Sequence, residues 1–426
     1  MYLRILKCLK KFIWRKKKRK YTMSLISNNQ KNLIFSNAVA RKFKLPSVLF
    51  DNQSFANILY GVYQVYRYSK YHLHNMTYTK NNNKIKPVNF KPYDFKPSQF
   101  LGFDYEPSVT LSIIVPAYNV EKYITQCLDS IVNALTDFND YEIIVVEDCS
   151  TDNTLALLKE ISSNYKNLKL LINEKNLGLS GARNKALKYS LGHYITFVDS
   201  DDMLSYGILT AVAKKIDENN NIDIFEFDFQ HYVQEADISI FLENTVPSIE
   251  KITLLNNIND IYKFAKGFAC GKIYKRDLFE LVRFPEGLYW EDAIISNIIL
   301  RKTKTYMHID TIGYLYRMNP NGISNSVKVR NLGYDQFYVT KYCLNAAKQS
   351  NLIIDGDFYK RLFVEASIFL NNRTSYLDDA DILYMFNELE PIFNDVNLET
   401  NLNARQKLIL KAMLEKNIAA WRAIAF

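Results

Sequence analysis

Cysteine is scarce in this sequence, and its five positions lie far apart along the 426 residues. The number is odd, and no two cysteines stand in a CxxC arrangement. Neither a disulfide framework nor a zinc site is therefore indicated. A reducing compartment such as the cytoplasm is the expected location.

Long apolar runs are also missing. No stretch reaches the roughly 18–20 apolar residues that span a bilayer. The apolar residues near the start are interrupted by basic side chains, and a basic block follows them. A secretory signal carries its basic residues first, so neither a membrane span nor a secretory signal is expected.

Acidic residues are absent from residues 1–20, which contain ten Lys or Arg. The other 406 residues hold 44 basic and 45 acidic side chains, and a near-neutral body does not resemble a nucleic-acid-binding protein. Apolar residues recur at helical spacing, at Leu3, Leu6, Leu9 and Ile13. Residues 1–20 are predicted to form a basic amphipathic helix on an anionic membrane surface, with a solvated terminus as the alternative.

The length predicts two to three domains, at roughly 100–200 residues each. Residues 21–80 are predicted as a helical extension and residues 81–108 as a linker, because the proline spacing in the latter excludes a helix and a central strand. Residues 109–326 form the predicted main domain. Residues 327–426 are predicted as a helical C-terminal region.

The main domain has an α/β pattern, in which apolar runs alternate with helical segments from Thr110 onward. This pattern predicts a mostly parallel sheet flanked by helices. Strands are predicted at 111–115, 142–146, 168–172, 194–198 and 223–229, with helices near 121–135, 153–163, 180–190 and 205–218. Ligands of such sheets bind beyond the carboxyl ends of the strands.

Polar motifs follow the first two predicted strands. Pro116 and Tyr118 belong to the first motif, and Asp148 to the second. A carboxylate at a strand end is able to accept from the N–H of a pyrimidine ring, and a tyrosine face is able to cover a base or ribose. Taken alone, the second loop is better explained by Asp152 capping the next helix.

A third motif, at residues 176–184, contains two glycines and opens a helix with Arg183 in its first turn. Such a helix start offers backbone N–H groups, and the guanidinium offers a planar fork for a phosphate or a nearby carboxylate. The alternative is a turn with a surface arginine. A dinucleotide-binding fingerprint is excluded because no GxGxxG follows the first strand.

A fourth motif places three carboxylates, Asp199, Asp201 and Asp202, at the end of a buried strand. Crowded like charges are unfavourable unless a cation relieves them. Mg²⁺ and Mn²⁺ favour one or two carboxylates combined with substrate phosphates. A helix N-terminus is the alternative, and it explains Asp202 well but Asp199 poorly.

Two further motifs lie later in the main domain. Trp290, Glu291 and Asp292 suggest a sugar-stacking wall beside a general base, because a carboxylate against an aromatic ring is partly desolvated. Helix capping by Asp292 is the competing explanation. Arg317 is placed to close over a diphosphate, although a solvated strand end explains it nearly as well.

Together and in this order, the motifs resemble the family 2 glycosyltransferases, which have the GT-A fold, over roughly residues 109–326. The family's VPxYN, aspartate-rich turn, N-x-G-x-x-x-ARN, DSDD and ED motifs stand at 115–119, 147–152, 176–184, 199–202 and 291–292. Glu147 and Cys149 depart from the pattern, since Asp and Gly are commoner there.

The resemblance implies a role for each matched residue. Asp148 would contact the nucleotide base, Asp199 would face the ribose, Asp201 would bind Mn²⁺ or Mg²⁺ on the diphosphate, and Asp292 would be the catalytic base. The remaining expected contacts are with the nucleotide, for Pro116, Tyr118 and Arg183, and with the acceptor or diphosphate, for Trp290, Glu291 and Arg317.

The implied reaction is an inverting transfer from a nucleotide-sugar donor, with UDP as the expected nucleotide, to a hydroxyl of a glycan or lipid-linked acceptor in bacterial surface-polysaccharide synthesis. A sugar nucleotidyltransferase is one alternative, but it opens with a glycine-rich basic loop where this chain has residues 116–119. A catalytically silent, membrane-associated binding protein is the other. Several separate acidic motifs argue against that alternative.

Overall fold

The computed structural model describes residues 93–95, 97–219, 221–233, 235–243, 245–319, 332–370, 377–394 and 398–425. The predicted basic segment at 1–20 and the helical extension at 21–80 lie outside these residues. Within the described part, the residues up to 403 belong to one compact unit and those from 404 to a second.

Nine strands of the described residues form one mixed sheet in the first unit. Their bounds are β1 Val109–Ala117, β2 Tyr141–Glu147, β3 Leu168–Ile172, β4 Gly192–Phe197, β5 Met203–Leu204, β6 Ile224–Tyr232, β7 Ile252–Leu255, β8 Lys272–Lys275 and β9 Tyr306–Arg317. The order is β3-β2-β1-β4-β8-β6-β9-β5, and β7 also pairs with β9. β1 to β4 are mutually parallel, β8 is antiparallel to β4 and β6, and β6 is parallel to β9.

Helices flank the sheet and continue after it. In the first unit they are α1 Ile124–Ala134, α2 Thr154–Ser162, α3 Gly178–Tyr189, α4 Ile208–Glu218, α5 Ile258–Phe264, α6 Leu300–Lys302, α7 Leu332–Gln349, α8 Gly356–Val364 and α9 Asp379–Asn394. One π-helical segment, Ile295–Ile299, leads into α6, and another, Glu365–Phe369, follows α8. The second unit contains α10 Ala404–Leu414 and α11 Ile418–Ile424. The described residues after 331 are mainly helical, as predicted.

The predicted α/β fold is confirmed. All five predicted strands and all four predicted helices of the main domain are present, with ends that differ by at most three residues. The sheet is less parallel than expected, because β5, β7 and β8 enter it with antiparallel pairing. None of these three strands was predicted.

The core of the sheet lies between β1 and its covering helices. Helix α1 buries Ile124, Leu128 and Ile131 at helical spacing, and β1 directs Ile113 and Val115 into the same cluster. Each of these side chains is 0% exposed, so each contributes about 1.5–3 kcal/mol of hydrophobic free energy. This packing holds the carboxyl end of β1 in place beside those of β2 and β4.

The described part of the predicted linker contains no helix or strand, in agreement with its proline spacing. It nevertheless packs against the main domain, which the linker prediction did not include. The ring of Phe103 lies 3.9 Å from the guanidinium of Arg276 and 5.2 Å from that of Arg283. The Nε of Arg283 also donates to the carbonyl of Phe100 at 2.8 Å.

Among the helices of the described residues, none combines the length and the apolar composition needed to cross a bilayer.

Candidate active site

The acidic motifs meet at one edge of the sheet. Asp148 directly follows β2 and Asp199 follows β4 by two residues, and β1 lies between those two parallel strands. Neighbouring strands are about 4.8 Å apart, so the two strand ends are separated by about 10 Å. Motifs that are distant in sequence therefore lie near one another at the carboxyl ends of the strands.

The first two motifs are joined by hydrogen bonds between their loops. The amide of Thr151 donates to Asn119 Oδ1 at 2.8 Å, and the amide of Asn119 donates to Ser150 Oγ at 3.1 Å. Pro116 is buried inside β1, whereas the Tyr118 side chain beyond the strand end is 47% exposed. The loop thus presents Tyr118 to solvent at this edge of the sheet. The expected contact between Tyr118 and the nucleotide stays a prediction.

Asp152 has a structural role, in line with the helix capping suggested for it from the sequence. Its Oδ1 accepts from the amide of Thr154 at 3.0 Å, at the start of α2, and its Oδ2 accepts from the amide of Glu121 at 3.1 Å. Both carboxylate oxygens are thus used to join the loops after β1 and β2. These bonds lower the pKa of Asp152 despite its partial burial.

Asp148 joins the second motif to the third. It is 2% exposed, and its Oδ1 accepts from the side chain of Asn173 at 2.7 Å and from the amide of Leu177 at 2.8 Å. Burial raises the pKa of Asp148 above its ordinary value, and these two hydrogen bonds oppose that change. The carboxylate is thus held in one orientation at the strand end before any ligand binds.

The two departures from the family pattern have visible structural consequences. Cys149 has a φ of 65°, in the left-handed region, where glycine is free of the Cβ penalty of about 1–2 kcal/mol. The Glu147 carboxylate accepts from the amides of Cys149 at 3.2 Å and Ser150 at 2.6 Å. Glu147 therefore closes the turn in which Cys149 has a strained backbone.

Arg183 connects the DSDD and ED motifs. Its Nη2 lies 2.8 Å from Asp199 Oδ1, and its Nη1 lies 3.0 Å from Glu291 Oε1 and 3.6 Å from Asp292 Oδ1. The side chain is 2% exposed and packs against the rings of Phe197 and Phe284.

These contacts differ from those of a surface arginine that waits for a phosphate. Burial lowers the pKa of Arg183, but the three carboxylates outweigh burial and raise it above its ordinary value. The guanidinium is a fixed cation that holds two acidic motifs together. Of the two partners that the sequence suggested for Arg183, a phosphate or a nearby carboxylate, the structure shows the carboxylate. A direct contact between Arg183 and a nucleotide stays a prediction.

Asp292 is held from outside the helix that follows it. Its Oδ1 accepts from the amide of Ala269 at 3.1 Å, so the capping explanation is not the observed arrangement. The side chain is 34% exposed. Burial of the carboxyl group, reinforced by Glu291, raises the pKa of Asp292 to about 7, against the lowering effect of Arg183. A carboxylate with that pKa is suited to accept a proton near neutral pH.

The other two residues of this motif precede Asp292 in the sequence. Glu291 is 14% exposed and is engaged by Arg183, which leaves any contact with an acceptor or diphosphate as a prediction. Trp290 has a φ of 68°, an unusual conformation for a bulky residue. Strained residues of this kind cluster at functional sites, where the surrounding structure enforces them.

Asp202 is a structural link and not a helix cap. The next helix begins only at Ile208, so the explanation by a helix N-terminus is wrong for this residue. Asp202 is 2% exposed, its Oδ2 accepts from the hydroxyl of Tyr314 at 2.8 Å, and its Oδ1 accepts from the amide of Arg317 at 2.7 Å. Burial and the neighbouring aspartates raise its pKa well above the ordinary value.

Arg317 and Asp201 lie together at the end of β9. The Nε of Arg317 donates to the backbone carbonyl of Asp201 at 2.8 Å, and its Nη2 donates to Gln126 Oε1 at 3.0 Å. The Asn319 side chain donates to Asp201 Oδ2 at 3.0 Å. Burial and Asp199 raise the pKa of Asp201, against the lowering effect of Asn319. The stretch Gly-Ile-Ser-Asn-Ser at 322–326, which with Arg317 was a candidate to close over a diphosphate, lies outside the described residues.

A divalent cation fits the chemistry of this cluster. Within the described part of the chain, no group of three or more His, Cys, Asp or Glu side chains is arranged to hold a metal ion by itself. Burial is the main cause of the raised pKa values of Asp201 and Asp202, and repulsion from the neighbouring aspartates adds to it. One carboxylate completed by diphosphate oxygens is the coordination that Mg²⁺ favours, so Asp201 fits such an ion only together with a ligand.

Several residues of the site were not anticipated from the sequence. Tyr314 donates to Asp202 and also accepts from the amide of Asp199 at 3.1 Å, and Asn173 orients Asp148. Tyr314 begins the stretch 314–317 that was singled out with Arg317, but its contacts with Asp199 and Asp202 were not predicted. Ala269 acts through its backbone, which no sequence pattern reveals.

The arrangement agrees with comparisons to known proteins. Residues 112–281 match the family model described as glycosyl transferase family 2. The glycosyltransferase GlyA of Streptococcus pneumoniae serotype 4 is 33% identical over 221 residues, 50% of this chain and 31% of that relative. The poly(ribitol-phosphate) beta-N-acetylglucosaminyltransferase TarS of Staphylococcus aureus is 36% identical over 208 residues, 48% of this chain and 34% of that relative. A crystal structure of S. aureus TarS 1-349 in complex with UDP-GlcNAc matches with a TM-score of 0.56 and 25% identity, over 74% of this chain and 89% of that one.

The chain contains a family 2 glycosyltransferase domain. The predicted resemblance and the GT-A-type fold are therefore confirmed. The chain spans about a third of the length of the two curated relatives.

The family match ends at residue 281, but the glycosyltransferase domain's acidic cluster continues beyond it. Asp292 is joined to the matched region by Arg183 and Ala269, and Arg317 is joined to it by Asp201 and Asp202. These contacts place both residues in the same cluster of charged side chains as Asp199 and Asp201.

Proposed function

We propose that this chain is an inverting, metal-dependent glycosyltransferase that transfers a sugar from a UDP-sugar to a hydroxyl of a surface-glycan acceptor. The observation that supports the proposal most directly is the Arg183 bridge, which brings Asp199 and Asp292 to one guanidinium although 93 residues separate them in sequence. Carboxylates proposed for the donor side and for the acceptor side thereby lie beside one guanidinium.

On the donor side, the chain offers a fixed carboxylate and an exposed ring. Asp148, with its Oδ1 oriented by Asn173 and Leu177, is placed at a strand end to accept from a uracil N–H. Tyr118 covers the base or ribose with its exposed face. UDP is favoured as the nucleotide because the related TarS structure was obtained with UDP-GlcNAc.

On the acceptor side, Asp292 takes the proton from the attacking hydroxyl. Its raised pKa keeps it basic enough for this role, and proton removal by a positioned base contributes about 10²–10⁴-fold. The hydroxyl oxygen attacks the anomeric carbon from the face opposite the leaving diphosphate, so the anomeric configuration inverts. Most of the remaining acceleration comes from positioning and charge stabilisation.

Asp201 would hold Mn²⁺ or Mg²⁺ on the donor diphosphate, and the ion would supply charge neutralisation for that group. Arg317 adds a fixed cation beside the same residue through its bond to the backbone of Asp201. Arg183 contributes indirectly, because its charge holds Asp199 and Glu291 in place.

We further propose that the acceptor is a glycan or lipid-linked polymer assembled on the cytoplasmic side of a bacterial membrane. The support is the similarity to TarS, a poly(ribitol-phosphate) beta-N-acetylglucosaminyltransferase. Residues 1–20, with their ten basic side chains, would bind the anionic membrane surface.

The test is a panel of UDP-, GDP- and CDP-sugars assayed for hydrolysis with and without Mn²⁺. Release of UDP from one UDP-sugar, dependent on the metal and lost in Asp292→Asn, is the expected outcome. Release of pyrophosphate would instead identify a nucleotidyltransferase, and no turnover of any donor would contradict the proposal. The anomeric configuration of the product, read by NMR, tests inversion.

A further inference from the structure

A charged pair is fully buried in the sheet, behind the site. Glu226 of β6 and Lys272 of β8 occupy paired positions in adjacent antiparallel strands, and both are 0% exposed. Lys272 Nζ lies 3.3 Å from Glu226 Oε2, which also accepts from the hydroxyl of Tyr306 at 2.9 Å. A buried ion pair contributes little net stability, because desolvation of the two charges offsets their attraction. Its presence therefore calls for another explanation.

The pair holds the backbone of the segment Lys266–Ala269. Glu226 accepts from the amide of Lys266 at 3.1 and 3.3 Å, and Lys272 Nζ donates to the carbonyl of Phe268 at 2.9 Å. The hydroxyl of Tyr274 donates to the carbonyl of Ala269 at 2.9 Å. This segment belongs to no helix or strand, so its polar groups depend on these side chains for their hydrogen bonds.

The opposite charges explain how one pair holds both kinds of backbone group. A carboxylate accepts only, and an ammonium donates only. Glu226 therefore selects the N–H of Lys266, and Lys272 selects the C=O of Phe268. An apolar pair of the same size would fill the space but would leave both groups without partners.

Ala269, the last residue of the segment, contacts the proposed catalytic base, Asp292. The amide of Ala269 donates to Asp292 Oδ1 at 3.1 Å, and Ala269 is itself 0% exposed. The buried pair is thus hydrogen-bonded to the segment, and the segment is hydrogen-bonded to the Asp292 carboxylate.

We propose that Glu226, Lys272 and Tyr274 are positioning residues that hold the segment Lys266–Ala269, and through it Asp292, in the orientation needed for proton transfer. The proposal rests on the proposed function only in naming Asp292 as the base. Its structural part, the control of the segment and of the Asp292 carboxylate, does not require a substrate.

The hydrogen bond from Ala269 also bears on the titration of Asp292. Burial raises the pKa of Asp292, Glu291 and Asp199 raise it further, and Arg183 and the Ala269 amide lower it. Two other titratable groups interact with it, Cys270 and Tyr274. Loss of the Ala269 bond therefore shifts the pKa of Asp292 upward.

The experiment compares two matched substitutions in the full chain. Tyr274→Phe removes the bond to the segment, whereas Tyr194→Phe removes a buried hydroxyl bond to the carbonyl of Ile222 elsewhere in the same sheet. Amide hydrogen exchange of residues 266–270 and the ¹³C carboxyl titration of Asp292, assigned with Asp292→Asn, are measured without substrate. Exchange in the segment is expected to accelerate about tenfold in Tyr274→Phe only, with an upward shift in the Asp292 titration.

A double variant, Glu226→Leu with Lys272→Met, separates positioning from stability. Apolar replacement removes the desolvation cost of the two charges, and this gain partly offsets the loss of hydrogen-bond partners at Lys266, Phe268 and Tyr306, so only a moderate fall in the unfolding temperature is expected. Exchange in the segment is still expected to accelerate, and the acid limb of UDP-N-acetylglucosamine hydrolysis to move to higher pH. Wild-type exchange and an unshifted Asp292 titration in both variants would overturn the proposal. If the wild type releases no UDP while both substrate-free measurements change as expected, the proposed function fails and the positioning role stands.

Discussion

Replacement of Arg183 by methionine tests the structural connection between the two acidic motifs. Methionine keeps an unbranched chain against Phe197 and Phe284 but removes the charge that faces three carboxylates. Removing one partner of a buried ion pair costs about 3–5 kcal/mol. Here Asp199 is 29% and Asp292 34% exposed, so water partly solvates the unpaired charges. We therefore expect a loss of about 2–3 kcal/mol, below that range.

At about 2 °C per kcal/mol for a unit of this size, the expected fall in Tm is about 4–6 °C. Differential scanning calorimetry at pH 8 measures it, with two comparison variants. Arg183→Lys keeps the charge but loses the planar fork, so an intermediate loss is expected. Lys215→Met removes the more exposed pair with Glu218 and should cost less than about 1 kcal/mol.

The sign of the pH dependence provides a second check. Burial raises the pKa of Asp292 to about 7, so its protonation removes one of the charges that Arg183 would have balanced, and the deficit of Arg183→Met should shrink as the pH falls from 8 to 5. A Tm within 1 °C of the wild type at pH 8, or a deficit that grows at low pH, would refute the electrostatic explanation.

Four further outcomes follow from the site. Asp292→Asn should retain donor binding but lower transfer by about 10²–10⁴-fold, and near-normal turnover would remove Asp292 from the role of base. The rate of transfer by the wild type should fall about tenfold per pH unit below pH 7, because burial raises the pKa of Asp292 to about 7 and the base is protonated below that value; a flat profile from pH 5.5 to 8 would contradict this. Asp201→Ala should weaken donor binding in the presence of Mn²⁺, and equal calorimetric affinities with and without the metal in the wild type would argue against metal binding at Asp201. Cys149→Gly should raise the free energy of unfolding by about 0.5–1 kcal/mol, because relief of the left-handed backbone outweighs the added chain entropy, whereas Cys149→Ser should not; equal stabilities of the two variants would rule out backbone strain.

Much of the sheet was predictable because its first half follows local rules. β1, β2 and β4 are apolar runs buried on both faces, and each leads into a polar loop. That pattern is typical of parallel strands and can be recognised without tertiary information. The positions of Asp148 and Asp199 at one edge follow directly from it.

The second half of the sheet depends on contacts that are distant in sequence. β8 has the sequence Lys-Ile-Tyr-Lys, and Lys272 within it is buried only because Glu226 lies opposite. A lysine in a four-residue segment predicts a solvated face, so the strand could not be recognised locally.

The site was likewise predictable in its membership but not in its internal contacts. Asp199 and Asp201 were identified from an acidic cluster at a strand exit, and Asp292 from paired acids beside an aromatic residue. The partners of Arg183 could not be predicted, because a planar guanidinium binds either a phosphate or a carboxylate. Only the fold decides which of the two groups lies next to it.

The placement of β9 bears on how such enzymes are recombined. This strand pairs with β6 along nearly its whole length and delivers Tyr314 and Arg317 to the aspartates after β4. A chimera cut at residue 281, where the family match stops, would therefore inherit Asp148, Asp199 and Asp201 but leave the proposed base Asp292 and the inner strand β9 with the other parent. To exchange acceptor specificity between chains of this kind, the junction should lie downstream of residue 317. The residues proposed for donor binding and for proton abstraction then come from the same parent.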